Sequence, residues 1–360
     1  MDRKFLKRIR EMIFPNNLSV QNELSVLLIP LYDREWASSR YRLYNYIPMI
    51  ENSGIRCKVI SPPQRDFVSR LVYLIDVIFK ARKVDVVFIQ KKIFRKAFVY
   101  LLHKFNSNIV FDFDDALFAR PTSVDTDEFD TYAIRQSLNY VLRKSKKVIV
   151  GNQFLKDYVV SVNPDVHIVP TPVHSPQMIS PTDRSPDKVV MGWIGNRENL
   201  IYLRELENVF RQLTSSLKDR FALKVICDEP LYLEGINIIN KQWVLQKEFD
   251  ELADIDIGIM PLKDDDWSKG KCAFKLLQFM GMGIPVVASP IGMNNEVIKT
   301  GVNGYLAETE EEWVMQISRL IADSKLRIKF GSSGKKLINS KYCYNVTAPL
   351  LAKVFKECLR

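Results

Sequence analysis

The chain has 360 residues, 47% hydrophobic and 26% charged, a globular composition whose length suits two domains. No apolar run reaches the roughly 18–20 residues that span a bilayer, no small-residue cleavage site follows the charged start, and five scattered cysteines and three histidines lack CxxC or HExxH spacing, which argues against a zinc site and for a reducing, cytoplasmic setting. Of the net charge of +10, residues 1–175 carry +9 (27 Lys and Arg against 18 Asp and Glu); with no recognisable nucleic-acid module in the chain, an anionic membrane surface is the expected partner of that charge.

In chain order, residues 1–13 form an amphipathic pattern, with Phe5, Ile9 and Ile13 on one side and Lys and Arg on the other, suited to packing or to lying on a membrane. Residues 67–83 repeat that pattern with a stronger apolar side. Strands are expected at 24–30, 56–61, 84–89, 108–113, 147–150 and 167–169, with helices at 40–53, 67–82, 94–105, 130–144 and 152–161. That alternation implies a parallel sheet with helices on both faces. Five prolines between Pro170 and Pro186 then mark a linker. The rhythm restarts with strands at 188–194, 222–227, 255–260 and 284–288. The division is therefore an N-terminal domain over 1–175 and a C-terminal domain over 176–344, with a last helix from about 345 to 360. No internal repeat is present.

The stretch GKCAFKLLQFMGMGIPVVASPIGMNNEVI (270–298), followed by GVNGYLA and EEW, reads as a helix ended by Gly283, a buried strand, and a loop opening a new helix. It resembles the nucleotide-sugar-binding segment of GT-B glycosyltransferases, most closely glycosyltransferase family 4. SSRYRLYNYIPMIENSGI, IVFDFDDALF, IVPTPV and MGWIGN add weaker likeness in the same order. The resemblance implies an α/β GT-B fold, two Rossmann-like domains facing across a cleft, with the last helix crossing back onto the first. It implies a hexosyltransferase moving sugar from a nucleoside-diphosphate sugar to a hydroxyl acceptor, retaining and metal-independent, with no cofactor, in bacterial-type surface polysaccharide or glycolipid assembly. The partners are then the nucleotide sugar and a lipid-linked or glycan acceptor at the cytoplasmic face of a membrane. A catalytically silent sugar- or nucleotide-binding scaffold and a nucleotide-sugar epimerase are the alternatives; oligomeric state is not legible.

For the donor, Gly195, Asn196 and Arg197 follow a strand and open a helix. There a glycine permits close approach of a phosphate and an arginine pairs with it bidentately. Lys271 and Lys275, read as lying on one helix with Gln278, suit the diphosphate, and backbone N–H groups of Cys272, Ala273 and Phe274 suit phosphate or sugar oxygens. Where many family members have two glutamates, this chain has Gly270 and Gln278; Gln278 is expected to bind ribose hydroxyls through its amide. In the first half, Asp112, Asp114 and Asp115 end a strand, and the first two share a side. They are read as contacts to acceptor or donor hydroxyls, with Asp114 beside the reacting carbon. Arg40, rather than Arg42, is expected to face the cleft and a phosphate. The DxD triplets at 112–114, 254–256 and 264–266 are read as chance matches, not metal sites.

Overall fold

The computed structural model describes residues 24–124, 130–176 and 188–359; the amphipathic pattern at 1–13 and most of the proline-rich linker lie outside them. Two six-stranded sheets, all parallel, form two lobes. The first has β1 (Leu24–Ile29), β2 (Ile55–Val59), β3 (Val86–Gln90), β4 (Ile109–Phe113), β5 (Lys147–Val150) and β6 (Val166–Ile168) in the order β2-β1-β3-β4-β5-β6. The second has β7 (Val189–Ile194), β8 (Phe221–Cys227), β9 (Ile238–Gln242), β10 (Ile257–Met260), β11 (Val286–Ala288) and β12 (Gly304–Leu306) in the order β12-β11-β10-β7-β8-β9. In each sheet the order reverses beside the first strand, between β1 and β3 and between β7 and β10. A crevice opens at the carboxyl ends of strands at such a switch point, and ligands of open α/β sheets bind there.

The central strands read as continuous apolar runs because both of their faces are covered: every residue of β3, β4, β5 and β8 is buried. Two strands were not legible. β9 is a half-exposed edge with the sequence IINKQ, and β12 is three residues that read as a glycine turn but pair with β11 through Val286 and Gly304. The helix expected from about 270 instead begins at Phe274 and ends at Gly281, with Gly283 following in the left-handed region at φ 76°. Before it come a short helix, Asp266–Lys269, capped by Asp265, and a four-residue loop closed by Ala273 at φ 52°. Lys271 therefore stands on that loop, not on the helix with Lys275.

The last helix, Tyr344–Glu357, packs on the first sheet. Leu351, Phe355 and Cys358 share one buried cluster with Leu28 and Phe88, and the Phe88 and Phe355 rings meet edge-on at 5.3 Å. A second apolar cluster runs without a break from Phe111 and Phe113 in the first lobe to Cys272 and Phe279 in the second, so the lobes share a core as well as a cleft.

Candidate functional site

On the second-lobe side the site begins where β7 ends. Trp193 is fully buried beneath the turn that follows it. A Cβ on Gly195 would lie 2.4 Å from the Trp193 ring and 2.8 Å from Lys275 Nζ, so only glycine lets the chain pass here. Lys275, on the first turn of the Phe274–Gly281 helix, lays its ammonium 4.1 Å from the Trp193 ring centroid. Lys271 Nζ donates to Asn199 Oδ1 at 3.4 Å and lies 5.3 Å from the Trp267 ring centroid. Neither lysine makes an ion pair among the described residues. Burial pushes the Lys271 ammonium below its usual range, against the pull of Asp115. Burial and repulsion from Lys271 push Lys275 well below its own. Two buried ammonium groups thus stand near the end of β7, Lys275 beside the Gly195 turn and Lys271 beside Asn199.

Arg197 does not join them. Its guanidinium is exposed and donates to Asp228 Oδ2 at 2.9 Å and Glu229 Oε1 at 2.8 Å on the loop after β8. These carboxylates already occupy the fork expected to hold a diphosphate. Asn196, also exposed, pairs with Asn199.

On the first-lobe side the three aspartates part company. Asp112 is buried and paired with Arg42, whose Nε donates to Oδ2 at 3.2 Å and whose Nη2 donates to Oδ1. The same guanidinium donates to the Val169 carbonyl at 2.6 Å. Burial lifts the Asp112 carboxyl to about 6 against the pull of Arg42. This buried pair ties the helix Ala37–Arg42 to β4 and to the chain after β6, and withdraws Asp112 from any hydroxyl in the cleft. Asp114 and Asp115 instead share Lys91, which donates to Asp114 Oδ1 at 3.2 Å and also reaches Asp115. Burial alone would lower the Lys91 ammonium; the two carboxylates outweigh it and hold it above its ordinary range. Lys91 follows β3 with φ 60°, an uncommon backbone for a side chain that is not glycine.

Between the two sides lies the 270–273 loop. Asn152 caps the helix Gln153–Val160 through Oδ1 and donates Nδ2 to the carbonyls of Gly270 and Lys271 at 3.1 and 3.2 Å. Cys272 Sγ donates to the Asp114 carbonyl at 3.1 Å. Burial, reinforced by Asp114, pushes that thiol well above its usual range, away from the thiolate that a nucleophile needs. A Cβ on Gly270 would meet the Ala116 Cβ at 2.4 Å and its amide nitrogen at 2.7 Å, so the lobes meet closely at Gly270. Ala273 is fully buried, and the Phe274 ring meets that of Tyr41 at 4.6 Å.

Arg40 also spans the lobes, but to a carboxylate. It donates to Glu248 Oε2 at 2.9 Å and to the Glu35 carbonyl at 2.7 Å. Glu248 Oε1 accepts from Gln278 Nε2 at 2.6 Å. Burial lifts the Glu248 carboxyl, with Arg40 opposing. The expected phosphate at Arg40 and ribose at Gln278 are thus replaced by a buried Arg40–Glu248–Gln278 chain. The residues that sequence reasoning missed are Lys91, Asn152, Asn199 and Glu248, and it set Arg42 aside in favour of Arg40. Only Asn152 (an Asn after a strand and before a helix) carried a local signal.

An open cavity of about 560 Å3 lies beside these contacts, between Arg120, Thr122 and Arg135 of the first lobe and Lys263, Asp265 and Trp267 of the second. Thr122 Oγ1 donates to Asp265 Oδ2 at 2.7 Å, and Tyr202 Oη to Thr122 at 2.8 Å. Among the described residues no three Asp, Glu, His or Cys side chains converge as metal ligands.

Residues 189–323 match the family model of glycosyl transferases group 1. That segment is most of the second lobe, which is similar to a group 1 glycosyltransferase domain. The chain as a whole has the GT-B fold. It is similar to Anabaena HepE, solved with UDP and glucose (TM-score 0.63, 13% identity, 92% of this chain and 99% of that one). It is similar also to sucrose-phosphate synthase from Thermosynechococcus elongatus (TM-score 0.69, 11% identity, 93% and 98%). A third is a glycosyltransferase from Rickettsia africae (TM-score 0.64, 14% identity, 94% and 99%). At these identities the likeness is one of fold. A curated relative, glycosyltransferase 1 domain-containing protein 1 of Xenopus tropicalis, is 22% identical over 178 residues, 49% of this chain and 44% of that protein; the match thus spans less than half the length of either. The glycine turn, Lys271 and Lys275 fall within the matched segment.

Proposed function

We propose that the chain transfers a sugar from a nucleoside-diphosphate sugar to a hydroxyl acceptor. The observation that carries this reading is the pair Lys271 and Lys275, half-buried, without an ion-pair partner among the described residues, and set beside Gly195 at the switch point of the second sheet. A diphosphate there regains for both ammonium groups the interactions that burial removes. The same charge stabilises the diphosphate as it leaves, when the sugar carbon takes on positive character. Asp114 and Asp115, held by Lys91 across the cleft, face the sugar side; Asp114 orients a donor or acceptor hydroxyl. Transfer with retention lets the leaving phosphate oxygen take the acceptor proton on the same face, so this reading needs no metal and no separate base. The Trp267 cavity is the entry for the acceptor, its ring and carboxylates suited to a sugar's apolar face and hydroxyls. The acceptor class proposed is a glycan under assembly on a lipid at a membrane surface, in polysaccharide or glycolipid synthesis.

Because HepE was also solved with UDP-glucose, UDP is the first nucleotide to titrate. Calorimetry against UDP, GDP, ADP and CMP, with and without EDTA, should show one tight nucleotide, insensitive to EDTA and lost in Lys275→Ala. Binding to none would favour a silent scaffold, and turnover of a nucleotide sugar without acceptor would favour an epimerase. Binding abolished by EDTA would refute the metal-free reading.

A further inference from the structure

A helix on the surface of a sheet needs one apolar face. The helix Phe67–Ala81 has two. Tyr73, Val77 and Ala81 are buried against the first lobe, and on the other side Phe67, Val68, Leu71, Val72, Ile75 and Phe79 stand exposed, Phe67 at 79%. At 100° per residue these six fall within an arc of about 140°, so they form one stripe. The neighbouring helix Lys96–Phe105 packs against the first and adds exposed Tyr100, Leu101 and Phe105. Arg82 lies 5.0 Å from the Phe105 ring centroid and Lys104 5.0 Å from that of Tyr100. Cations resting on the aromatic rings of an apolar patch suit a membrane interface. Residues 65–105 hold ten Lys and Arg and three Asp, a balance of +7. Of those three, Asp66 caps its own helix, Asp76 pairs with Lys80 and Asp85 binds Ser25.

We infer that these two helices are a docking face for an anionic lipid bilayer, with the apolar stripe inserted among the acyl chains and the cations on the headgroups. Charge selects this occupant. A second copy would bring the same +7 against itself. Residues 1–23 carry five Lys and Arg and three Asp and Glu, again positive, and would be repelled from the patch. Nucleic acid satisfies the charge but leaves the large apolar side chains in water. A bilayer offers both an anionic surface and an apolar interior. No helix among the described residues is long and apolar enough to cross a membrane, so this attachment lies on the surface. It goes beyond the transfer reaction and stands independently of it.

The test is flotation of the full chain with vesicles of phosphatidylcholine alone and of phosphatidylcholine mixed with phosphatidylglycerol, with UDP calorimetry on the same preparations. The chain should float with the anionic vesicles and not with the neutral ones, and added salt should weaken binding. Leu71→Ser/Ile75→Ser/Phe79→Ser, all at exposed positions, should weaken binding about a hundredfold or more while the melting temperature and UDP affinity stay as in the parent. Arg70→Glu and Lys104→Glu should each weaken it about fivefold or more. Equal flotation of the triple variant would overturn the proposal, as would equal binding to neutral vesicles or no flotation at all. Loss of flotation only on removing residues 1–13 would move the anchor there. A dimer in sedimentation that the triple variant turns into monomer would identify a second copy as the occupant.

Discussion

At Lys275 stability and binding pull against each other. Its ammonium is held well below the ordinary lysine value of 10.5 by burial and by Lys271. A cation with a depressed folded pKa destabilises the fold while protonated, and that cost fades as pH rises from the lowered pKa toward 10.5. Lys275→Met should therefore raise the thermal stability of the nucleotide-free protein by about 1–2 kcal/mol while abolishing nucleoside-diphosphate binding. A melt that falls with the binding would mean that the lysine is part of the packing. In the parent, affinity for UDP should weaken as pH rises through the lowered pKa, because the diphosphate needs the ammonium charged. Calorimetry in two buffers of different ionisation heat should show proton uptake on binding; none would refute the link. Asp112 makes the contrasting case. Removing one member of a buried ion pair leaves the other uncompensated, so Arg42→Met and Asp112→Ala should each cost about 3–5 kcal/mol in urea unfolding. Asp114→Asn should leave stability nearly unchanged and lower turnover by about a hundredfold, with UDP affinity kept. Asp112 and Asp114 share a side in the sequence reading; Arg42 takes the first and Lys91 the second, which separates them.

Among the elements, the 270–273 loop and the last helix were read with different success, for physical reasons. A helix period shows itself in apolar spacing, so Leu276, Leu277, Phe279 and Met280 marked a helix correctly. The start did not show, because Ala273 adopts a left-handed backbone that alanine seldom takes. That conformation is imposed by Asn152 and Cys272, which tie the loop to the other lobe. The last helix carries its apolar face in the sequence, but nothing local says which sheet receives it. Since it supplies Leu351 and Phe355 to the core around β1 and β3, a chain ended at Tyr342 should lose the first lobe's cooperative unfolding. Thermal denaturation should then show a broad, lower transition; an unchanged melt would mean that the helix is only an ornament on that sheet.

For the whole molecule the decisive contact is between lobes. Gly270 stands where the resemblance leads one to expect a glutamate, and the reason is steric: a Cβ there would strike the backbone of Ala116. Gly270→Val should hold the lobes apart. Expected is UDP affinity within a few-fold of the parent, turnover reduced by about a hundredfold, and a larger radius of gyration by small-angle scattering. A normal radius with normal turnover would show that the lobes need not meet so closely for transfer.

The sequence by itself determined the two parallel sheets, apart from β9 and β12, and it marked Gly195, Lys271 and Lys275 as candidates. Buried strands must be apolar, and glycine must stand where a side chain has no room. These are local requirements, and local requirements are written residue by residue. Tertiary structure alone decided the fates of Arg40, Arg42, Arg197, Asp112 and Gln278, and brought in Lys91, Asn152 and Glu248. Each of these is a charged or polar side chain whose role depends on which group lies within about 3 Å of it in the fold. Arg40 meets Glu248 across 208 positions of sequence and Asn152 meets Gly270 across 118, distances over which no periodicity or propensity carries information.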